Sequence, residues 1–218
     1  MANVVAWASG YPSVFANDAA EIKSLNAGTW SPATKDFKAA ATSSGVALGA
    51  ATFGDLLKQI GTQRVGSIDK LGIIAHSNSK MIGLAGKIIT TPPQAPDVLF
   101  TPSGLIDTSV LKANAAAVAK VKDRFAANAS IVLFSCNAGA DISLLIGFQT
   151  AFDLDCYGFN DHVQTCTNFS GAMITSRGQM AYAPNLSSLV AAGLATPCTY
   201  AKNSVWQLQP DAGFFSRT

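Results

Sequence analysis

The sequence predicts an α/β fold with a mostly parallel central sheet, and three observations predict it. Short, continuous apolar runs at 3–8 ("NVVAWA"), 69–77 ("DKLGIIAHS") and 130–135 read as strands covered on both faces. Segments with apolar residues at helical spacing separate them, the alternation expected of a parallel sheet with helices on both faces. Finally, 218 residues that are 49% apolar and 13% charged can bury a full core, which excludes intrinsic disorder.

Taken in order, the first strand ends at Ser-Gly-Tyr-Pro, a turn signal. Phe15, Ala19, Ile22 and Leu25 then fall on one face of a helix, and a strand is expected near Asp36–Thr42. Thr52 is placed to cap a short helix whose Phe53, Leu56, Leu57 and Ile60 share a face. After the strand at 69–77, residues 80–89 alternate and contain glycine, which predicts a hairpin beside that strand. The Pro-rich piece 90–104 reads as a loop. Asp107 or Thr108 caps what reads as the longest helix, with Val110, Leu111, Val118, Val121 and Phe125 on one face as far as Asn128. A strand at 130–135 follows, then a helix presenting Ile142, Leu145, Ile146, Gln149 and Phe152, then a strand at 154–161. Beyond 162 the pattern weakens to one or two further strands.

The net charge of +2 is spread along the chain, so no nucleic-acid footprint is expected. No basic residue precedes Lys23, and no apolar run reaches the ~18–20 residues that span a bilayer. The expectation is a cytoplasmic protein without a membrane span. Cys136, Cys156, Cys166 and Cys198 are too dispersed for a disulfide scaffold, although Cys156–Cys166 and Cys166–Cys198 bridges stay open if the chain is exported.

Two strands end in reactive side chains: "LGIIA" delivers His76 and "IVLFS" delivers Cys136. Ligands bind at the carboxyl ends of strands in doubly wound sheets, and neighbouring strands would bring both groups to one sheet edge. A nucleophilic cysteine needs an imidazole to take its proton and a field favouring thiolate. His76 supplies the first; the N-terminus of the helix starting near Asp141 is a source of the second. The small residues Ala138 and Gly139 would let a carbonyl oxygen approach backbone N–H groups. The alternative is a buried structural cysteine and an unrelated histidine.

"GIIAHSNS" followed by "IVLFSCNAG" resembles the caspase-like clan of cysteine peptidases, and "FSCNAG" is most similar to metacaspase and CHAT-like bacterial domains. The resemblance implies a three-layer α/β/α caspase–hemoglobinase-like fold over residues 1–165, with 166–218 as a C-terminal extension packed on the same domain. It implies Cys136 as nucleophile, His76 as general acid and base, and the N–H groups of Ser77 and Cys136 as the oxyanion site. The implied substrate is a polypeptide, with no cofactor and no metal, and with a partner protein or oligomer left open.

Two departures stand out: Ser77 replaces the clan's usual glycine, and Phe134 replaces the aspartate that helps metacaspases bind a basic P1 residue. Asp18 and Asp161 are candidates to restore a basic-P1 pocket, and Arg177 would favour acidic P1; each also reads as a surface charge. If the chain is a zymogen, 90–106 and 162–180 are the expected exposed cleavage segments.

Rival constellations are weaker. The spacing of Cys156, His162 and Cys166 matches no common zinc pattern. No G-x-S-x-G elbow is present, and Glu21 is the only glutamate, which excludes a paired-Glu hydrolase. Besides the peptidase, two readings stay open: a catalytically inactive caspase-like module used for binding or assembly, and a structural or secreted surface protein of similar topology.

Overall fold

The computed structural model describes residues 2–11, 46–89 and 97–160, and beyond these the backbone of strands between 163 and 217. The helix expected at Phe15–Leu25 and the strand at 36–42 lie outside the described residues.

The central sheet has five parallel strands: β1 (Ala2–Ala8), β2 (Val46–Ala50), β3 (Ile68–Ile74), β9 (Phe125–Phe134) and β10 (Asp155–Phe159). They stand in the order β2-β1-β3-β9-β10. Two antiparallel strands, β13 (Met180–Ala183) and β14 (Thr199–Ala201), extend it beyond β10. The strand order reverses at β1, so the boundary between β1 and β3 is a topological switch point.

Consecutive residues Ile131, Val132, Leu133 and Phe134 are all buried, as are Leu71, Ile73 and Ile74. Successive side chains of a strand point to opposite faces, so β3 and β9 are covered on both. This is the physical reason their C-terminal parts, 71–74 and 131–134, carry no polar side chain.

Helix α1 (Phe53–Gly61) starts at Thr52, as its sequence predicts. The Thr52 hydroxyl accepts from the Asp55 N–H at 3.0 Å, and the Thr52 N–H donates to the Asp55 carboxylate at 3.1 Å. This reciprocal pair satisfies two helix-start donors, while Phe53, Leu56, Leu57 and Ile60 go into the core.

The long helix expected from 107 to 128 is two short ones. Asp107 caps α2 (Thr108–Ala113) through the Val110 N–H at 2.8 Å, and α3 (Ala115–Ala119) follows. Asn114 divides them: its backbone leaves helical geometry (φ −101°, ψ 15°), and its side chain donates to the Val110 carbonyl. Phe125, at helical spacing from Val118 and Val121, instead opens β9 opposite Ile68, its ring edge-on to Phe152 at 5.8 Å. The strand is therefore longer than the 130–135 the sequence suggests.

Helix α4 (Ile142–Phe152) buries Leu144, Leu145, Phe148, Gln149 and Phe152, a face rotated from the expected one. Gly147 meets Thr108 and Leu111 of α2, where a Cβ would already lie at 3.0–3.1 Å.

The strand expected to run to 77 breaks at Ala75. A new strand, β4 (His76–Asn78), forms a hairpin with β5 (Met81–Gly83), and β8 (Leu105–Ile106) pairs on the far side of β5. The hairpin therefore belongs to a separate small sheet. The predicted loop 90–104 is also structured where described: β6 (Gly86–Ile89) pairs with β7 (Asp97–Phe100), and a 3-10 turn occupies 102–104. Within the part of 90–106 that is described, Pro102 and Ser103 are exposed while Gly104 and Ile106 are buried. Residues 163–176 likewise carry strands β11 (Val163–Phe169) and β12 (Gly171–Ser176) as an antiparallel pair. Among the described residues, no helix is long and apolar enough to cross a membrane.

Leu133→Ala should destabilise the fold by about 2–5 kcal/mol, the range for emptying a fully buried leucine site. Thr52→Ala should cost about 1 kcal/mol through loss of the cap. Urea unfolding monitored by circular dichroism checks both, and equal effects would contradict the core placement of Leu133.

Candidate functional site

The parallel register of β3 on β9 pairs Ile74 with Phe134. His76 and Cys136 are each two residues beyond that pair, so both leave the sheet at the same level on adjacent strands. The Ser77 hydroxyl donates to the Cys136 carbonyl, which ties the two loops directly. The two predicted catalytic residues are therefore brought to one edge of the sheet, beside the switch point.

The turn carrying Cys136 is built for an abrupt exit from the strand. Ser135 is buried, Cys136 is half-buried, and Asn137 takes the left-handed conformation with φ 57°. Asparagine is among the few residues that adopt it at modest cost. The chain then folds back, with Ala140 N–H donating to the Asn137 carbonyl at 3.0 Å and Gly139 N–H to the Phe159 carbonyl at 2.8 Å. Gly158 on β10 leaves room for this turn: a Cβ there would lie 3.3 Å from the Ala138 carbonyl carbon and the Gly139 nitrogen.

Ser77 lies in extended strand β4 opposite Ile82, and Asn137, Asp153 and Gly66 are the positive-φ residues among those described. The position therefore does not require glycine, and serine occupies it without backbone strain. Its hydroxyl adds the tie to Cys136 that glycine would lack.

Burial lowers the His76 pKa from its ordinary 6.5 to about 4. The imidazole is therefore neutral at pH 7, and it is a weaker proton acceptor than an ordinary histidine. Tyr11, on the chain leaving β1, meets it edge-on with ring centroids 4.9 Å apart. Nothing in the periodicity around "SGYP" signals this contact, because it joins segments sixty-five positions apart (76 − 11) through the β1–β3 pairing.

The helix behind the cysteine contributes less field than its position suggests. Asp141 caps α4 by accepting from the Ser143 N–H at 3.0 Å, and that bond holds its carboxyl below the usual range. A carboxylate thus sits on the positive end of the helix, and four residues separate it from Cys136.

Phe134, where metacaspases have aspartate, is 2% exposed, its ring 6.2 Å from that of Phe159. It contributes packing and no charge. Asp18, Asp161 and Arg177 lie outside the described residues. Cys156 is a fully buried thiol whose pKa burial raises. His162 and the side chain of Cys166, the other members of the weighed zinc constellation, are outside the described residues.

Comparison with protein families, curated proteins and solved structures finds no match to this chain.

A depressed histidine pKa means the unfolded chain binds the extra proton first. Its contribution is whole above pH 6.5 and is lost as pH falls towards about 4, on the order of 3 kcal/mol. Urea midpoints at pH 7 and pH 4.5 should show this loss in the wild type and a smaller one in His76→Gln. Parallel pH profiles for the two proteins would refute the burial assigned to His76.

Proposed function

We propose that this chain is a cysteine endopeptidase of the caspase-like clan, with a caspase–hemoglobinase fold, acting on polypeptides in the cytoplasm. The observation that supports it most is the Ile74–Phe134 register, which sets His76 and Cys136 at equal distance beyond adjacent strand ends. The free thiol of Cys156 suits a reducing compartment.

In this reading, neutral His76 takes the thiol proton as the Cys136 sulfur attacks the scissile carbonyl. The backbone N–H groups of Cys136 and Ser77 receive the developing oxyanion. The imidazolium then gives its proton to the departing amine, leaving an acyl-enzyme. Water adds to that thioester with His76 as base, and the second product leaves with its carboxylate. No third catalytic carboxylate enters.

One observation favours a second reading, an inactive module of the same clan used for binding or assembly. The Asp141 carboxylate occupies the helix end that would otherwise favour a thiolate.

Iodoacetamide at pH 6.5 should label Cys136 much faster than Cys156, and His76→Ala should slow that reaction by roughly 10²-fold. A denatured-proteome digest should show new peptide termini with the wild type and none with Cys136→Ala. Equal, slow labelling of all four cysteines, with identical digests, would leave the inactive module as the better reading.

A further inference from the structure

The chain leaving β1 carries a side chain that grips the imidazole from outside the Cys–His pair. Tyr11 is 5% exposed, and its ring plane stands at 86° to that of His76. Its hydroxyl donates to the Gly83 carbonyl at 2.7 Å. Gly83 is the residue paired with His76 across the hairpin. One phenol therefore contacts the catalytic ring and anchors the backbone directly opposite it.

The backbone is shaped for this approach. The Gly10 N–H donates to the Leu84 carbonyl at 3.0 Å, and Gly10 forms a parallel bridge with Ala85. A Cβ on Gly10 would stand 2.3 Å from the Ala85 Cβ, a separation real atoms do not reach. Glycine at position 10 is what lets the next residue lie against the hairpin. Burial raises the Tyr11 phenol, so it stays a neutral donor to Gly83. An edge-to-face contact also restrains rotation of the imidazole.

We propose that Tyr11 is a positioning residue for His76, holding the imidazole where it exchanges a proton with Cys136; this rests on the Cys136–His76 reading above. Tyr11 acts through the ring and the hairpin. The same contact supplies part of the burial that keeps His76 neutral, and no charged neighbour contributes to that lowering among the described residues.

The test compares wild type, Tyr11→Phe, Tyr11→Leu and His76→Ala. It reads Cys136 alkylation by iodoacetamide across pH, and the titration of the His76 ring by NMR. Tyr11→Phe keeps the ring contact and loses the Gly83 bond, so alkylation should slow about fivefold. Tyr11→Leu loses both and should slow it by roughly tenfold or more. In Tyr11→Leu the His76 midpoint should also move up from about 4 towards its ordinary value. Wild-type rates and an unchanged titration in both Tyr11 variants, with His76→Ala slow, would overturn the role of Tyr11 alone. If Tyr11→Leu does not fold, Tyr11→Phe decides, since it removes a single oxygen. If His76→Ala alkylates as fast as wild type, the Cys–His reading itself fails, and the role of Tyr11 falls with it.

Discussion

The hydrogen-bonded ladder between β3 and β9 carries the geometry of the site. Its register aligns Leu71 with Ile131, Ile73 with Leu133 and Ile74 with Phe134, all within the core. A slip of one residue would turn each of these side chains to the other face and move His76 out of step with Cys136. Because both faces are buried, the apolar side chains resist that slip from two sides at once. The placement of His76 beside Cys136 is thus inherited from core packing, and neither residue has to pin it alone. Ser77 adds a direct tie between the two loops beyond the ladder.

Burial sets the chemistry of the site as well as its shape. The half-buried His76 imidazole, edge-on to Tyr11, keeps its neutral form down to about pH 4, which also makes it a weaker base than an ordinary histidine. The same burial costs stability in acid, where the unfolded chain is free to protonate. Across the loop, Asp141 stabilises the start of α4 while offsetting the field that end would cast towards the thiol.

Local rules made much of this readable. Unbroken apolar runs marked β3 and β9 because both faces of each are buried, and Thr52 and Asp107 marked helix starts because their oxygens meet orphan N–H groups. Those rules failed where a tertiary partner outweighed local spacing. Phe125 fitted a helical face, but Ile68 and Phe152 drew it into a strand, and Asn114 ended the helix early. The proline-rich segment reads as a loop, yet its Asp97–Phe100 stretch pairs with β6. Extension past Ala75 was overestimated because β4 turns away to meet β5.

By itself, the sequence determined that an apolar strand delivers a histidine, that another delivers a cysteine, and that small residues follow the second. Those are properties of adjacent residues and survive without knowledge of neighbours. Only the tertiary structure decided that the two strands are adjacent and in step, that Tyr11 meets the His76 ring edge-on, and that Ser77 binds the Cys136 carbonyl. Each of these joins segments far apart in the chain, where hydrogen-bond register and packing, and not local spacing, select the partner.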